Sequence, residues 1–345
     1  MAFSAIIKPS DYFTPELYVG TGSSRTISTL NFQPDWVWIK NRDTTDRHSL
    51  VDVVRAAPNM LSTSNNDAQS AQASELTAFN TNGFTVNTAT SVNGSSANYV
   101  SWNWKANGAG SSNTDGSITS TVSANTTSGF SIVKYTGNGL AGATIGHGLG
   151  AVPKMTIIKS MTAGEDWIIP PLNDPTNYIV LNSTGAEGNG IGPFNNTAAT
   201  SSVFSVGTWG TTNGNSQTLL AYCFAEKQGF SKISSYIGNG NADGTFNYTG
   251  FKPAWVMIKN LTSAGSNWRI FDNQRLGYNV NNATLYANLT NAEADETSLD
   301  LLSNGFKMRG TTNDLNGSGQ TYIYMAFAET PFVANSGESI PTTAR

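Results

Sequence analysis

The chain is poor in charge, cysteine and histidine. Of its 345 residues only 12% are charged, the net charge is −4, and it holds one cysteine and two histidines. Each shortage excludes something. A mildly acidic chain lacks the basic surface that grips phosphates, so no nucleic acid is expected as a partner. The lone Cys223 rules out an intrachain disulfide framework and, with only two histidines, a Cys/His zinc site. Its place in an alternating run makes it a small buried apolar residue. Lys, Glu and Leu are too sparse for long amphipathic helices. No run approaches the ~20 apolar residues of a membrane helix, so no membrane insertion is expected. The start, Met1 to Lys8, lacks a basic stretch ahead of an apolar run, and no secretion signal is expected. Coiled-coil heptads and collagen-like triplets, which would mark a long fibre, are missing too.

What the chain has is Gly, Asn, Ser, Thr and aromatics, the makings of short strands joined by many turns. One stretch organises the rest. Asn304-Gly305-Phe306 leads to Asn316-Gly317 and then to an alternating run from Tyr322 to Ala328. Ile323, Met325 and Phe327 point one way; Tyr322, Tyr324, Ala326 and Ala328 point the other. Asn-Gly between two such runs predicts a hairpin with a type I′ turn. The stretch occurs twice more, as Asn82-Gly83-Phe84, Asn93-Gly94 and Tyr99 to Trp104, and as Phe204, Asn213-Gly214 and Leu220 to Ala225. Recurrence in register is the mark of a repeat protein. Upstream of each copy stand a Tyr-x-Gly-x-Gly motif (Tyr18, Tyr135, Tyr236) and a proline-led strand that is apolar on both faces (after Pro34, Pro153 and Pro253). Trp104, Phe224 and Phe327 should be equivalent core residues.

These signals divide the chain into repeat 1 (1–106), a Gly/Ser/Thr-rich linker (107–128), repeat 2 (129–227), repeat 3 (228–332) and a polar tail (333–345). The linker should be extended or mobile. The expected fold is all-β: three tandem antiparallel β-sandwich domains, jelly-roll or concanavalin-like, of about 100 residues, each with its own core.

Chemistry is thinly marked. Asp52/Arg55 and Asp272/Arg275 recur after the proline-led strand and could hold a ligand or fix a loop; repeat 2 has Pro170-Pro171 there and no pair. His48 and His147 fall in different repeats, so no Ser-His-Asp triad is expected. No spacing singles out a carboxylate pair of the glycosidase kind. Asp115-Gly116 and Asp243-Gly244 read as turns, not calcium loops. Trp209, in a Gly/Thr loop, is the aromatic best placed to meet a sugar; the strand tryptophans belong to the core. No catalytic residue, cofactor or metal is expected.

The run Phe32 to Arg42, then His48 to Arg55, Asn82-Gly83-Phe84 and Tyr99 to Ala106, resembles an uncharacterised repeat domain of structural proteins of tailed bacteriophages, marine phages in particular. Ala221 to Ser231 and Tyr322 to Glu329 look like later copies. The resemblance covers nearly the whole chain. It implies a virion structural protein with lectin-like or jelly-roll domains, made in the host cytoplasm and placed on the tail or particle surface. It implies a tail-associated fibre or receptor-binding protein that contacts host glycans; alternatives are a head-fibre-like decoration protein and a polysaccharide depolymerase. The expected partners are other virion proteins, a host cell-surface glycan and further copies of the chain, with a homotrimer foremost.

Overall fold

A computed structural model describes residues 4–275, 279 and 281–331. The polar tail lies outside the described residues. Strand makes up 44% of the chain and helix 4%, so the fold is all-β, built from several antiparallel sheets.

One strand order recurs. In the first segment it is Phe13–Val19, Asn98–Trp104, Trp36–Asn41, Ser49–Asp52. In the second it is Phe130–Thr136, Thr218–Phe224, Met155–Ser160, Ile168–Ile169. In the third it is Ser231–Ile237, Thr321–Pro331, Phe251–Asn260, Arg269–Asp272. The alternating run is thus always second, flanked by the proline-led strand. That strand is buried along its length in the first two segments, as its two apolar faces require. Trp104, Phe224 and Phe327 take matching register positions, opposite Trp36, Met155 and Trp255.

One face of each sheet carries its own apolar cluster. In the first segment Val37, Ile39, Val51 and Tyr99 meet Ile27, Leu76, Phe84 and Val86 of a small outer sheet. The second and third segments have their own clusters, around Val133, Ile158 and Phe204 and around Val256, Phe271 and Phe306. The other faces of all three sheets converge on a fourth, shared cluster that holds Trp36, Trp102, Trp104, Tyr222, Phe224, Trp255, Met257, Met325 and Phe327. Phe327 lies 5.7 Å from Trp104 and 5.9 Å from Phe224, ring centre to ring centre. The expectation of segments with separate cores therefore captures half of the packing. The alternating strand is covered on both sides, so it feeds a local core and a common one. In the common core the indole N–H groups of Trp36, Trp104 and Trp255 go unpaired. An orphaned donor costs about 1–3 kcal/mol. Burying a Trp of about 200 Å² at ~25 cal/mol/Å² returns roughly 5 kcal/mol, so packing wins.

Two expectations need correction. Residues 107–128 are not a bare linker: Ser111–Asn113 and Ser120–Asn125 form strands, and the second pairs with Phe130–Thr136. A free sheet edge can recruit Ser/Thr-rich chain through main-chain bonds alone. The second correction concerns the Asn-Gly turns, which are not type I′. Gly94 and Gly214 have φ of −56° and −52°, and each Asn ends a one-turn helix, Thr90–Asn93 or Gly210–Asn213. Tertiary hydrogen bonds override the local preference. Asn213 is fully buried; its Nδ2 donates to the carbonyls of Leu140 and Gly207, and its Oδ1 accepts from the Asn138 amide. Asn93 and Asn316 bind the corresponding loops in the same way. The loops they grip are the Tyr-x-Gly-x-Gly motifs. A Cβ on Gly20, Gly137 or Gly238 would sit 2.1–2.4 Å from the carbonyl oxygen of Gly94, Gly214 or Gly317. The two glycine motifs, far apart in sequence, exist to touch each other.

Candidate functional site

The charged pairs are interior. Arg55 Nε donates to Asp52 Oδ2 at 2.5 Å, and Arg275 Nε to Asp272 Oδ2 at 2.7 Å; all four side chains have no exposure. The other carboxylate oxygen accepts the arginine's own amide N–H. A neighbouring segment completes each pair. Tyr222 of the second segment donates its hydroxyl to Asp52 at 2.8 Å, and Trp102 of the first donates its indole N–H to Asp272 at 2.9 Å. The third segment presents Met325 at the matching register position, and the second segment, where Pro170-Pro171 stand, has no carboxylate to receive a donor. Donor and acceptor are therefore absent together. Asp52, Arg55, Asp272 and Arg275 act as joints between sheets, and the ligand position imagined for them is filled by Tyr222 and Trp102.

His48 and two tryptophans are joints as well. His48, Trp167 and Trp268 each directly precede the fourth strand of their sheet. His48 Nε2 meets the carbonyls of Tyr286 and Leu289 in the third segment. Trp167 Nε1 donates to Ser62 O in the first, and Trp268 Nε1 to Val180 O in the second. Main-chain bonds add to the pattern: Gln69 N to Met161 O, Glu187 N to Leu261 O, and Glu293 N to Arg42 O. First binds second, second binds third, third binds first, and the ring closes. Trp38 donates to His48 Nδ1, which fixes the proton on Nε2; burial and the nearby Lys40 charge push the His48 pKa down to about 3. His147 is held by Thr200 O and the Leu149 amide, and burial lowers its pKa too. Cys223 is buried, its thiol pushed up to about 12 by desolvation. Among the described residues no three His, Cys, Asp or Glu side chains gather as a metal ligand set.

The exposed candidate is Trp209. It keeps 37% of its surface in solvent and stands directly ahead of the one-turn helix Gly210–Asn213. Its ring meets Tyr178 edge-on at 5.1 Å. Both rings lie on glycines: a Cβ on Gly192 would fall 1.9 Å from Trp209 Nε1, and one on Gly188 would fall 2.6 Å from Tyr178 Cζ. Ile191, 61% exposed, lies between those glycines in sequence, and a Cβ on Gly210 would meet the Glu165 carboxylate at 2.5 Å. The result is a seated aromatic surface with a carboxylate acceptor near its edge. Such a surface can stack on the apolar face of a sugar ring while its rim bonds hydroxyls. The sequence singles out Trp209 and not the Tyr178 that packs against it. The available signal was the glycine-rich run Gly188 to Gly192, on whose end glycines the two rings rest.

These features define an all-β chain whose sheets close a ring around a shared aromatic core, with the Trp209–Tyr178 surface outside. The chain belongs to the family described as a domain of unknown function, DUF7483, which matches residues 8–331 across all three segments. No curated protein and no solved structure matches the chain. No helix among the described residues is long and apolar enough to cross a membrane.

Proposed function

We propose that the chain is a bacteriophage virion structural protein, a tail-associated fibre or receptor-binding protein whose three β-sandwich repeats present a glycan-contacting surface to the host. The observation that carries this reading is the Trp209–Tyr178 pair seated on Gly188 and Gly192. The closed ring supports it, because an aromatic on a rigid frame loses little entropy when it binds. The surface is polar and weakly charged, which suits hydroxyl-rich ligands. One such contact is weak, so copies on a particle supply avidity.

The homo-oligomer belongs to the proposal, with a trimer foremost. The ring already satisfies segment-to-segment contacts within one chain, so further copies join through its outside. A second reading, a decoration protein bound to other virion subunits, is favoured by one observation. The edge strand Phe246–Tyr248 exposes Phe246 and Tyr248, with Ile237 nearby, at 44%, 58% and 62%. An apolar sheet edge is a docking surface. Particles carrying Trp209→Ala separate the readings. Lost adsorption to host cells with intact particles supports attachment. Normal adsorption by these particles rejects it, and particles that also break under heat or osmotic shock point to decoration.

A further inference from the structure

The added hairpin of residues 111–125 creates a feature absent from the sequence reading. In the first and third segments, Phe13–Val19 and Ser231–Ile237 are free sheet edges among the described residues. The matching strand Phe130–Thr136 is instead extended by the hairpin. Between this extension and the first segment lies an open cleft of about 600 Å³, in the size range of small-ligand sites.

The lining is specific in chemistry. Hydroxyls dominate, from Ser112 through Thr121 to Thr136 and Thr218, and no aspartate or glutamate contributes. Two cationic residues line it, and the Arg55 side chain is itself fully buried. Arg55 is neutralised by Asp52. Lys134 is not: among the described residues it has no carboxylate partner, and its Nζ makes only a long 3.4 Å bond to Val54 O. On the first-segment wall stands Gln69, whose main-chain N–H donates to Met161 O.

We propose that this cleft binds an acidic saccharide, with its carboxylate on Lys134 and its hydroxyls on the serine and threonine side chains of the lining. One uncompensated cation fits one carboxylate and not a polyphosphate backbone. A lining with so few apolar side chains offers nothing to an apolar ligand. The ligand class shares the glycan reading above, but the site is separate from Trp209.

The test is calorimetric titration of the full chain with trigalacturonate and with neutral galactotriose. Trigalacturonate should bind, the neutral sugar about tenfold more weakly, the worth of one charge-assisted hydrogen bond. Lys134→Gln should abolish that preference, Lys134→Arg should keep it, and Trp209→Ala should leave it unchanged. Added salt should weaken the acidic ligand alone. Thermal melts of both Lys134 variants establish that they fold. Absence of trigalacturonate binding, equal affinity for the two sugars, an unaltered Lys134→Gln protein or loss of the preference in a folded Lys134→Arg protein overturns the proposal. Because Trp209→Ala is scored separately here and in adsorption, failure of the cleft and failure of the aromatic surface are distinguishable.

Discussion

Trp102 gives its indole N–H to the carboxylate of Asp272, 170 residues away in sequence and 2.9 Å away in space. Tyr222 stands in the same relation to Asp52. In both cases a residue on the middle strand of one sheet completes a buried Asp–Arg pair on the next.

Deleting either donor should therefore weaken the protein as a whole. Trp102→Phe and Tyr222→Phe each leave a buried carboxylate one hydrogen bond short, at a cost of about 1–3 kcal/mol. Met325→Leu, at the matching position where no carboxylate waits, should cost under about 1.5 kcal/mol. Urea unfolding midpoints of the three variants provide the comparison; equal losses would show that the cross-segment bonds add nothing.

The shared core makes unfolding cooperative. Full-length protein should melt in one transition, and a chain ending at residue 227 should not fold stably. That truncation removes Trp255, Met257 and Phe327 from the common cluster and takes both carbonyl partners from His48. Trp104→Ala, Phe224→Ala and Phe327→Ala should each cost about 3–5 kcal/mol. A truncated chain that melts at the full-length temperature would mean that the segments are independent.

Stability should peak in mild alkali. Lys40, Lys159 and Lys259 are buried at the third-strand ends and bonded to carbonyls, and desolvation brings their pKa from 10.5 down to about 8. Between pH 8 and 10.5 the unfolded chain binds more protons than the folded one, so stability rises with pH there. Burial pushes Tyr99, Tyr286 and Tyr324 up to about 12, so the folded chain holds more protons from pH 10 to 12 and stability falls. Thermal melts across pH 7–12 should show a maximum near pH 10 by this linkage argument, and Lys159→Met should flatten the rise. On the acid side, His48 adds stability that is lost as pH falls through 6.5 toward 3.

Interlocked glycines leave no room for a methyl group. Gly137→Ala places a Cβ 2.4 Å from the Gly214 carbonyl, whereas Gly150→Ala meets nothing within 4 Å and pays only for its φ of +65°. The first should prevent folding or cost more than about 4 kcal/mol, and the second about 1–2 kcal/mol. Comparable melting temperatures for the two variants would contradict the close approach.

Local pattern settled much of this. The alternation of Tyr322 to Ala328 assigned each side chain to its face: Ile323, Met325 and Phe327 enter the common cluster, and Tyr322, Tyr324, Ala326 and Ala328 the local one. Period-2 geometry allows no other outcome once the strand is named. The proline-led strands, the burial of Cys223 and the exposure of Trp209 were legible for the same reason, since composition and spacing report how wet a position is. What only the tertiary structure decided are relationships between distant positions. No local rule pairs Gly137 with Gly214, sets Tyr178 against Trp209, or delivers Tyr222 to Asp52. Asn93 and Asn213 show the conflict most plainly: the dipeptide favours a tight turn, but a buried amide with carbonyls to satisfy outweighs a turn preference. The ring itself is of this kind. A sequence reveals that a strand has two apolar faces, while which neighbour covers each face depends on how all the sheets meet.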